Sequence, residues 1–415
     1  MTTETFIRLH ANDDVRDLAL QKAKYPDVDM KYALDQIAGR QIARRKLPMW
    51  AEKEGIIFPS HLSMEQCSSE FTAMYKARLV RNLLMCDNSS YSSIAPITLV
   101  DLTAGFGVDF TLMVKALQEE QLFQNQKYVY VERQEELCQI AKHNFDVLGI
   151  NYVDVVCGDG VDYLHDLQRS CVIFLDPARR NSYGGRTFAI SDCTPNVLSI
   201  QEELLEKSIF VVLKLSPMLD ISATIEALGE NHVREIHIIS VDNECKELLV
   251  VMSKEAISTR VFCVNNDHVL SYFIKEQAPI IVAQQVFAGQ YFYEPYVSIM
   301  KTKCFGLLCQ RYGVEAVGLN SHFFVSSQFI EDFPGRRFQV FAISSMNKKD
   351  LKNHLRGVSK ANITTRNFPL SVQELRKRLK LSDGGDVYIF ATTIGENNHR
   401  LFFCKQIDTK KKIEN

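Results

Sequence analysis

The chain has 415 residues, 46 % of them hydrophobic, 24 % charged and 10 % aromatic, which excludes disorder, collagen-like repeats and fibrous structure. Its eleven cysteines are odd in number and none has CxxC spacing, so reduced thiols in a cytoplasmic protein fit better than a disulfide framework, and no metal site is expected. The formal charge of −2 conceals an asymmetry: residues 335–415 hold seventeen Lys and Arg against seven Asp and Glu, a net +10 on an otherwise acidic body.

The N-terminus, MTTETFIRLHANDDVRD, has no apolar core of a signal peptide, and no apolar run long enough for a membrane span follows. Residues 1–95 read as mostly helical. Asp29 is placed to cap a helix with Ala33, Leu34, Ile37, Ala38 and Ile42 on one face, ended by Pro48. Ser63-x-x-Gln66 has capping-box spacing and signals a second helix through Met64, Cys67, Phe71 and Met74.

The rhythm then changes. Apolar runs at Ile97–Val100, Tyr128–Val131, Tyr152–Val156, Val172–Leu175, Ile209–Leu215, Ile236–Val241 and Leu248–Met252 alternate with helical stretches such as Gln134–Leu148. Continuous Val/Ile/Leu runs suit a sheet buried on both faces, and the alternation predicts an open, doubly wound α/β sheet. The link Asp242–Lys246 is too short for a helical crossover, so the last two runs are expected to pair antiparallel at one edge. Thr259–Val264 and Val269–Ile274 predict a hairpin outside that sheet. Aromatic residues are dense from Ala278 to about Phe324, suggesting a small α+β unit. The basic terminus predicts helices at Lys348–Arg356 and Val372–Leu379, strands at Val387–Thr392 and Leu401–Lys405, a turn at Gly395–Asn398 and a Lys410–Lys412 tail. The expected divisions are 1–95, 96–256, 257–334 and 335–415.

Chemistry concentrates at the expected strand ends. In Asp101-Leu102-Thr103-Ala104-Gly105-Phe106-Gly107-Val108-Asp109 two glycines let the backbone turn tightly and let a ligand approach a helix N-terminus, while Phe110 stands where a dinucleotide fingerprint needs a small residue. Glu132 ends the second strand, placed to accept hydrogen bonds from ribose hydroxyls, and Asp159 follows the third, placed for an adenine amine. Each acidic residue alone is more often a helix cap; three at successive strand tips beside a glycine turn favour a nucleoside site. Asp176-Pro177-Ala178-Arg179-Arg180 ends the fourth strand beside the Lys214-Leu215-Ser216-Pro217 tip of the fifth. A carboxylate fixed there suits holding a nucleophilic amine, and the arginines suit phosphates.

This order of glycine turn, Glu, Asp and Asp-Pro resembles the class I S-adenosylmethionine-dependent methyltransferases over roughly residues 60–255. Phe58-Pro59-Ser60, Glu65–Glu70, Ala361-Asn362-Ile363 and Arg366-Asn367-Phe368-Pro369 more narrowly resemble the bacterial methyltransferases with a small ferredoxin-like insert and a C-terminal THUMP-like domain. The resemblance implies a Rossmann-like seven-stranded sheet with an N-terminal helical region and small α+β C-terminal domains. It implies S-adenosyl-L-methionine as cofactor, held by Thr72, Lys76, Asp101, Thr103, Ala104, Gly105, Gly107, Asp109, Glu132, Arg133, Asp159 and Gly160. Asp176 and Pro177 would be catalytic, with Arg179, Arg180, Lys214 and Ser216 toward substrate. The partner implied is RNA, ribosomal or transfer, methylated on a base.

Two departures bear on the target. Thr103 replaces the first glycine of the usual turn, and Ala178-Arg179 follows Asp176-Pro177 where amino-group methyltransferases have Pro-aromatic, removing the usual stacking platform for a flipped base. The Asp-x-Thr-Ala-Gly-x-Gly-x-Asp, Glu-Arg and Leu-Asp-Pro elements also resemble a ribosomal RNA guanine-amine methyltransferase. A non-catalytic RNA-binding protein with a vestigial site, and a methyltransferase of small molecules or proteins, stay open as alternatives.

Overall fold

The computed structural model describes residues 1–86, 98–120, 126–179, 190–395 and 398–407. Ile97, Arg180, Glu396, Asn397 and Lys410–Lys412, all invoked from the sequence, lie outside them. The chain divides into two compact units, Met1–Ile236 with Leu248–Thr259, and His237–Glu247 with Arg260–Asn415.

In the first unit α1 (Met30–Lys46) starts where expected, Asp29 accepting the Tyr32 backbone N–H at 3.1 Å. The Ser63 capping box does not start a helix. Ser63 lies inside the short α2 (His61–Gln66), and α3 (Glu70–Cys86) begins afresh, the Thr72 N–H donating to Ser69 Oγ at 3.3 Å. The expected single helix is therefore two, because Cys67 adopts an extended backbone between them.

Two side-chain amides dock the connecting segment. Gln36 of α1 exchanges hydrogen bonds of 2.8 and 2.9 Å with the Phe58 backbone, and Asn144 of α5 (Glu135–Leu148) does the same with Ile57 at 2.8 and 2.9 Å. Gly39 permits this: a Cβ there would lie 2.3 Å from Phe58 Cβ. The helical region is thus pinned to the sheet domain just before α2 and α3, which then run over the strand ends.

The sheet strands are β1 (Thr98–Asp101), β2 (Lys127–Glu132), β3 (Val153–Cys157), β4 (Ser170–Leu175), β5 (Ser208–Leu215), β6 (Val233–Val241) and β7 (Glu244–Met252). Their order is 3-2-1-4-5-7-6. The pairs 1–2, 2–3, 1–4 and 4–5 are parallel, and β5 pairs antiparallel with β7. Every residue of β1 and β4 is buried, whereas β3, at the end of the sheet, is half-exposed. Continuous apolar runs thus mark the central strands and fade at the edge. The helices α4 (Val108–Gln118), α5 and α6 (Gly160–Asp166) follow β1, β2 and β3 in turn.

In the second unit the hairpin β8 (Arg260–Asn265) and β9 (His268–Phe273) corrects the expectation of a separate ribbon. It extends the same sheet through the His237–Val241 end of β6, where His237 stacks on Phe262 at 4.4 Å and Ser240 Oγ donates to the Val264 carbonyl at 2.6 Å. Strands β6 and β7 are therefore interior rather than an edge pair, joined by a tight turn with Asp242 and Asn243 at positive φ.

The rest of this unit is built on a seven-stranded sheet, β11-β12-β10-β13-β16-β15-β14. Its strands are β10 (Tyr291–Pro295), β11 (Glu315–Ala316), β12 (Phe324–Ser326), β13 (Gly335–Ser344), β14 (Asn362–Thr365), β15 (Val387–Ile394) and β16 (Asn398–Gln406). Between β10 and β11 come α7 (Val297–Thr302) and α8 (Phe305–Tyr312). The helices α9 (Lys348–His354) and α10 (Val372–Leu379) cover one sheet face through Leu351, Leu375 and Leu379 against Ile389, Leu401 and Phe403. The alternate residues Phe338, Phe390 and Phe402 join Phe292 and Phe323 in an aromatic core on the other face, as a two-residue strand period requires. Strands β13 and β14 were not expected; the alternating pattern of β13 is masked by Arg336 and Arg337.

Candidate active site at the strand ends

The β1–α4 connection turns at Gly105 (φ +55°) and Gly107 (φ +84°), left-handed backbone that suits glycine. A Cβ on Gly107 would press on Tyr130, but one on Gly105 would meet, among the described residues, nothing nearer than the Thr103 carbonyl at 4.0 Å. The loop is fastened on three sides. The Ala104 N–H donates to the Val131 carbonyl at 3.0 Å, and the Gly105 N–H to Glu132 Oε2 at 3.1 Å. The Tyr130 hydroxyl donates to the Gly105 carbonyl, and the Thr103 N–H to Asp101 Oδ1 at 3.0 Å. Thr103, standing where a glycine was expected, links two strands through its hydroxyl. Its Oγ1 accepts the Asp176 N–H at 2.6 Å, tying the β1 end to the β4 end.

Glu132 also accepts the Gln134 N–H on Oε1 at 2.9 Å. Each carboxylate oxygen thus holds one backbone donor and keeps a lone pair for another hydrogen bond. Asp159 caps α6 through the Val161 N–H at 2.8 Å, and Arg133 Nη1 lies 3.8 Å from its other oxygen. Gly160 packs against the strand: a Cβ would lie 2.1 Å from the Leu102 carbonyl oxygen.

Asp109, in the first turn of α4, is the electrostatic centre. Lys76 of α3, fully buried, places Nζ 3.2 Å from Asp109 Oδ1 and donates to Ser68 Oγ at 3.2 Å, while Ser68 donates to Asp109 Oδ2 at 2.7 Å. Lys214, at the end of β5, lies 3.6 Å from Asp109 Oδ2 and donates to Asp176 Oδ2 at 2.5 Å. Burial by itself raises the Asp109 carboxyl, but Lys76 and Lys214, with the Ser68 hydrogen bond, outweigh it and hold the group below the usual carboxylate range. Asp101 goes the other way: burial pushes it well above that range against its hydrogen bond from Thr103, and Asp109 and Asp176 add to the rise.

The structure therefore joins Lys76, Asp101, Thr103, Gly105, Asp109, Glu132, Asp176 and Lys214 in one contact network. Thr72 stays in the capping turn of α3, its hydroxyl bonded to the Ser69 carbonyl at 3.2 Å. Pro177 is buried behind Asp176, and Ser216 Oγ accepts the Met218 N–H at 3.3 Å in the turn after β5. Arg179 pairs through its backbone with Cys193. Ser68 is the residue that sequence reasoning missed as a contact; a small hydroxyl residue just before a helix start carries no more signal than a cap.

Family models match residues 291–334 as a ferredoxin-like domain and residues 335–406 as a THUMP domain-like segment. The chain is similar to a candidate methyltransferase from Porphyromonas gingivalis W83, at 29 % identity and TM-score 0.80, over 97 % of both chains. The chain shares the whole architecture of that candidate methyltransferase and carries both C-terminal domain types. The methyltransferase sheet order and both C-terminal domains are thus present together. Weaker likenesses include a human methyltransferase 10 domain containing protein (12 % identity, TM-score 0.37, 52 % of this chain and 97 % of that one) and a SAM-dependent methyltransferase from Agrobacterium tumefaciens (17 %, 0.27, 38 % and 47 %). No curated protein matches. Among the described residues no helix is long and apolar enough to cross a membrane, and no His, Cys, Asp or Glu cluster is arranged to hold a metal.

Proposed function

We propose that the chain transfers a methyl group from S-adenosyl-L-methionine to a base, an exocyclic amine, in ribosomal or transfer RNA. The observation that carries this is the left-handed turn at Gly105, held by Glu132, with Asp176 tied to the same loop through Thr103 and with Asp109 and Asp159 at the starts of the helices that follow β1 and β3. The donor set fits the cofactor: the free lone pairs of Glu132 suit two ribose hydroxyls, Asp159 suits an adenine amine, and Asp109 suits an ammonium. Bound there, the cofactor supplies an electrophilic methyl on a sulfonium.

The residues do the rest. Asp176 accepts a hydrogen bond from the acceptor amine and aims its lone pair. Lys214 and the Thr103 hydroxyl fix Asp176 from its side chain and its backbone, so that alignment rather than acid–base chemistry lowers the barrier. The division of labour follows the sequence segments, with 1–95 closing over 96–256, and 257–334 and 335–415 engaging RNA. Supporting the last role, α9 and α10 lie on one sheet face and expose Lys349, Lys352, Lys377 and Arg378, a stripe suited to phosphates. Arg179 and Arg180 are assigned to the same backbone.

The deciding experiment incubates the protein and labelled cofactor with total RNA from a strain lacking it, followed by nucleoside mass spectrometry. Label in one RNA at one base amine is expected. Tight cofactor binding with label only in small molecules or protein overturns the RNA assignment, and absence of cofactor binding by calorimetry overturns the enzyme.

A further inference from the structure

A second cluster of reactive side chains lies wholly within the second unit. Cys263 is buried in the middle of β8. Thr302 ends α7, and Cys304, only partly buried, is the N-cap of the eight-residue α8. The Thr302 hydroxyl oxygen sits between the two sulfurs, 3.6 Å from Cys263 Sγ and 3.3 Å from Cys304 Sγ. Tyr272 of β9 belongs to the same cluster and interacts with Thr302 and Cys304. None of these groups takes part in the strand-end site.

The two sulfurs are not equivalent. Cys263 lowers the Cys304 thiol below its ordinary value; burial opposes this, and Thr302 and Tyr272 reinforce it. Its place at the start of α8 acts in the same direction. Burial pushes Cys263 well up, and Cys304 adds to that. One cysteine is therefore partly exposed and the other buried, with a single hydroxyl touching both sulfurs, a division that suits dithiol exchange.

We propose that Cys304 and Cys263 are a reversible dithiol–disulfide pair that responds to a peroxide. The Cys304 thiolate attacks one oxygen of hydrogen peroxide, the O–O bond breaks, and Cys304 becomes a sulfenic acid as hydroxide leaves and takes up a proton. Cys263 sulfur then attacks the Cys304 sulfur, its thiol proton going to the departing oxygen. The sum is two thiols and one peroxide giving one disulfide and two waters. A thiol reductant reverses it, and the closed form ties the middle of β8 to the start of α8. This pair is independent of the methyltransferase reading.

The test uses reduced full-length protein, graded hydrogen peroxide, alkylation of remaining thiols and non-reducing peptide mapping. One linked Cys263–Cys304 peptide, two hydrogens lighter and restored by dithiothreitol, is expected. No linked peptide, or linkage of Cys304 to Cys245 instead, overturns the proposal. The pH dependence of Cys304 alkylation gives a second readout. Its midpoint should lie below the free-thiol value of about 8.5 and move up toward it in Cys263→Ser, which should also let peroxide carry Cys304 on to the sulfinic acid. A wild-type midpoint at or above that value, unmoved in Cys263→Ser, refutes the pair.

Discussion

Two carboxylate–cation clusters, one in each unit, are arranged in opposite ways. In the second unit Glu294 is 4 % exposed and both its oxygens are taken, one by Arg366 at 2.6 Å and the other by Arg336 through Nε at 2.7 Å. Arg366 is consumed further by the His322 carbonyl at 2.8 Å and the face of Phe323 at 4.5 Å. In the first unit Lys214 spans two carboxylates, Asp109 and Asp176, and Asp176 remains more than a third exposed. The first arrangement is closed and holds strands together. The second leaves an exposed carboxylate with acceptor capacity, which is what the proposed acceptor amine requires.

The sharpest way to break this comparison is Asp176→Ala. Turnover should vanish in the labelled-methyl assay while cofactor affinity by calorimetry stays within a few-fold; collapse of cofactor binding would place Asp176 at the cofactor instead. Glu294→Gln should act on the other unit, leaving two guanidiniums without their counter-charge at a cost of about 3 kcal/mol in urea unfolding. Cofactor affinity should not change, and a loss there would mean that the closed cluster is not merely structural. Gly105→Ala adds a methyl at the turn and strains left-handed backbone, costing about 1 kcal/mol of stability and on the order of tenfold or more in cofactor affinity. Unchanged affinity would show that nothing binds against that turn.

The smallest effect sharpens the contrast within the first unit. Asp109, lowered by Lys76 and Lys214 against its burial, contributes stability that is present above its unfolded value of about 3.9 and lost as pH falls through the lower folded value. Asp101, raised by burial, contributes stability present below about 3.9 and lost as pH rises through its higher folded value. Asp101→Asn should therefore lessen the decline in urea midpoint as pH rises above about 3.9. An identical decline in both proteins would assign the pH dependence elsewhere.

Much of this was legible in the residues. Apolar runs located β1 to β7 of the nine-stranded sheet, most plainly in β1 and β4, where burial of every residue leaves no polar alternation to blur them. The glycine turn, Glu132 and Asp176 could be named because strand tips in such sheets collect ligand chemistry. Three things were hidden, each for a physical reason. Ser63-x-x-Gln66 carries a start signal that a nearby extended residue, Cys67, makes irrelevant. Gly335–Ser344 looks like charge before it looks like strand, because Arg336 leans onto Glu294 and the Phe338 ring. And Ser68, one of several small hydroxyl residues before a helix start, meets Lys76 and Asp109 only because α3 lies along α4.

The pairing of β10 with β13, residues 291–295 against 335–339, sets what can be inherited. The ferredoxin-like and THUMP-like segments meet at residue 335 in sequence, and their two blocks of strands abut in one hydrogen-bonded sheet, β10 of the first against β13 of the second. Splitting the gene there would strip both halves of a neighbour and bare raw strand edges on each. Evolution can therefore lose or acquire this appendage only whole, and anyone trimming the protein for study inherits the same rule.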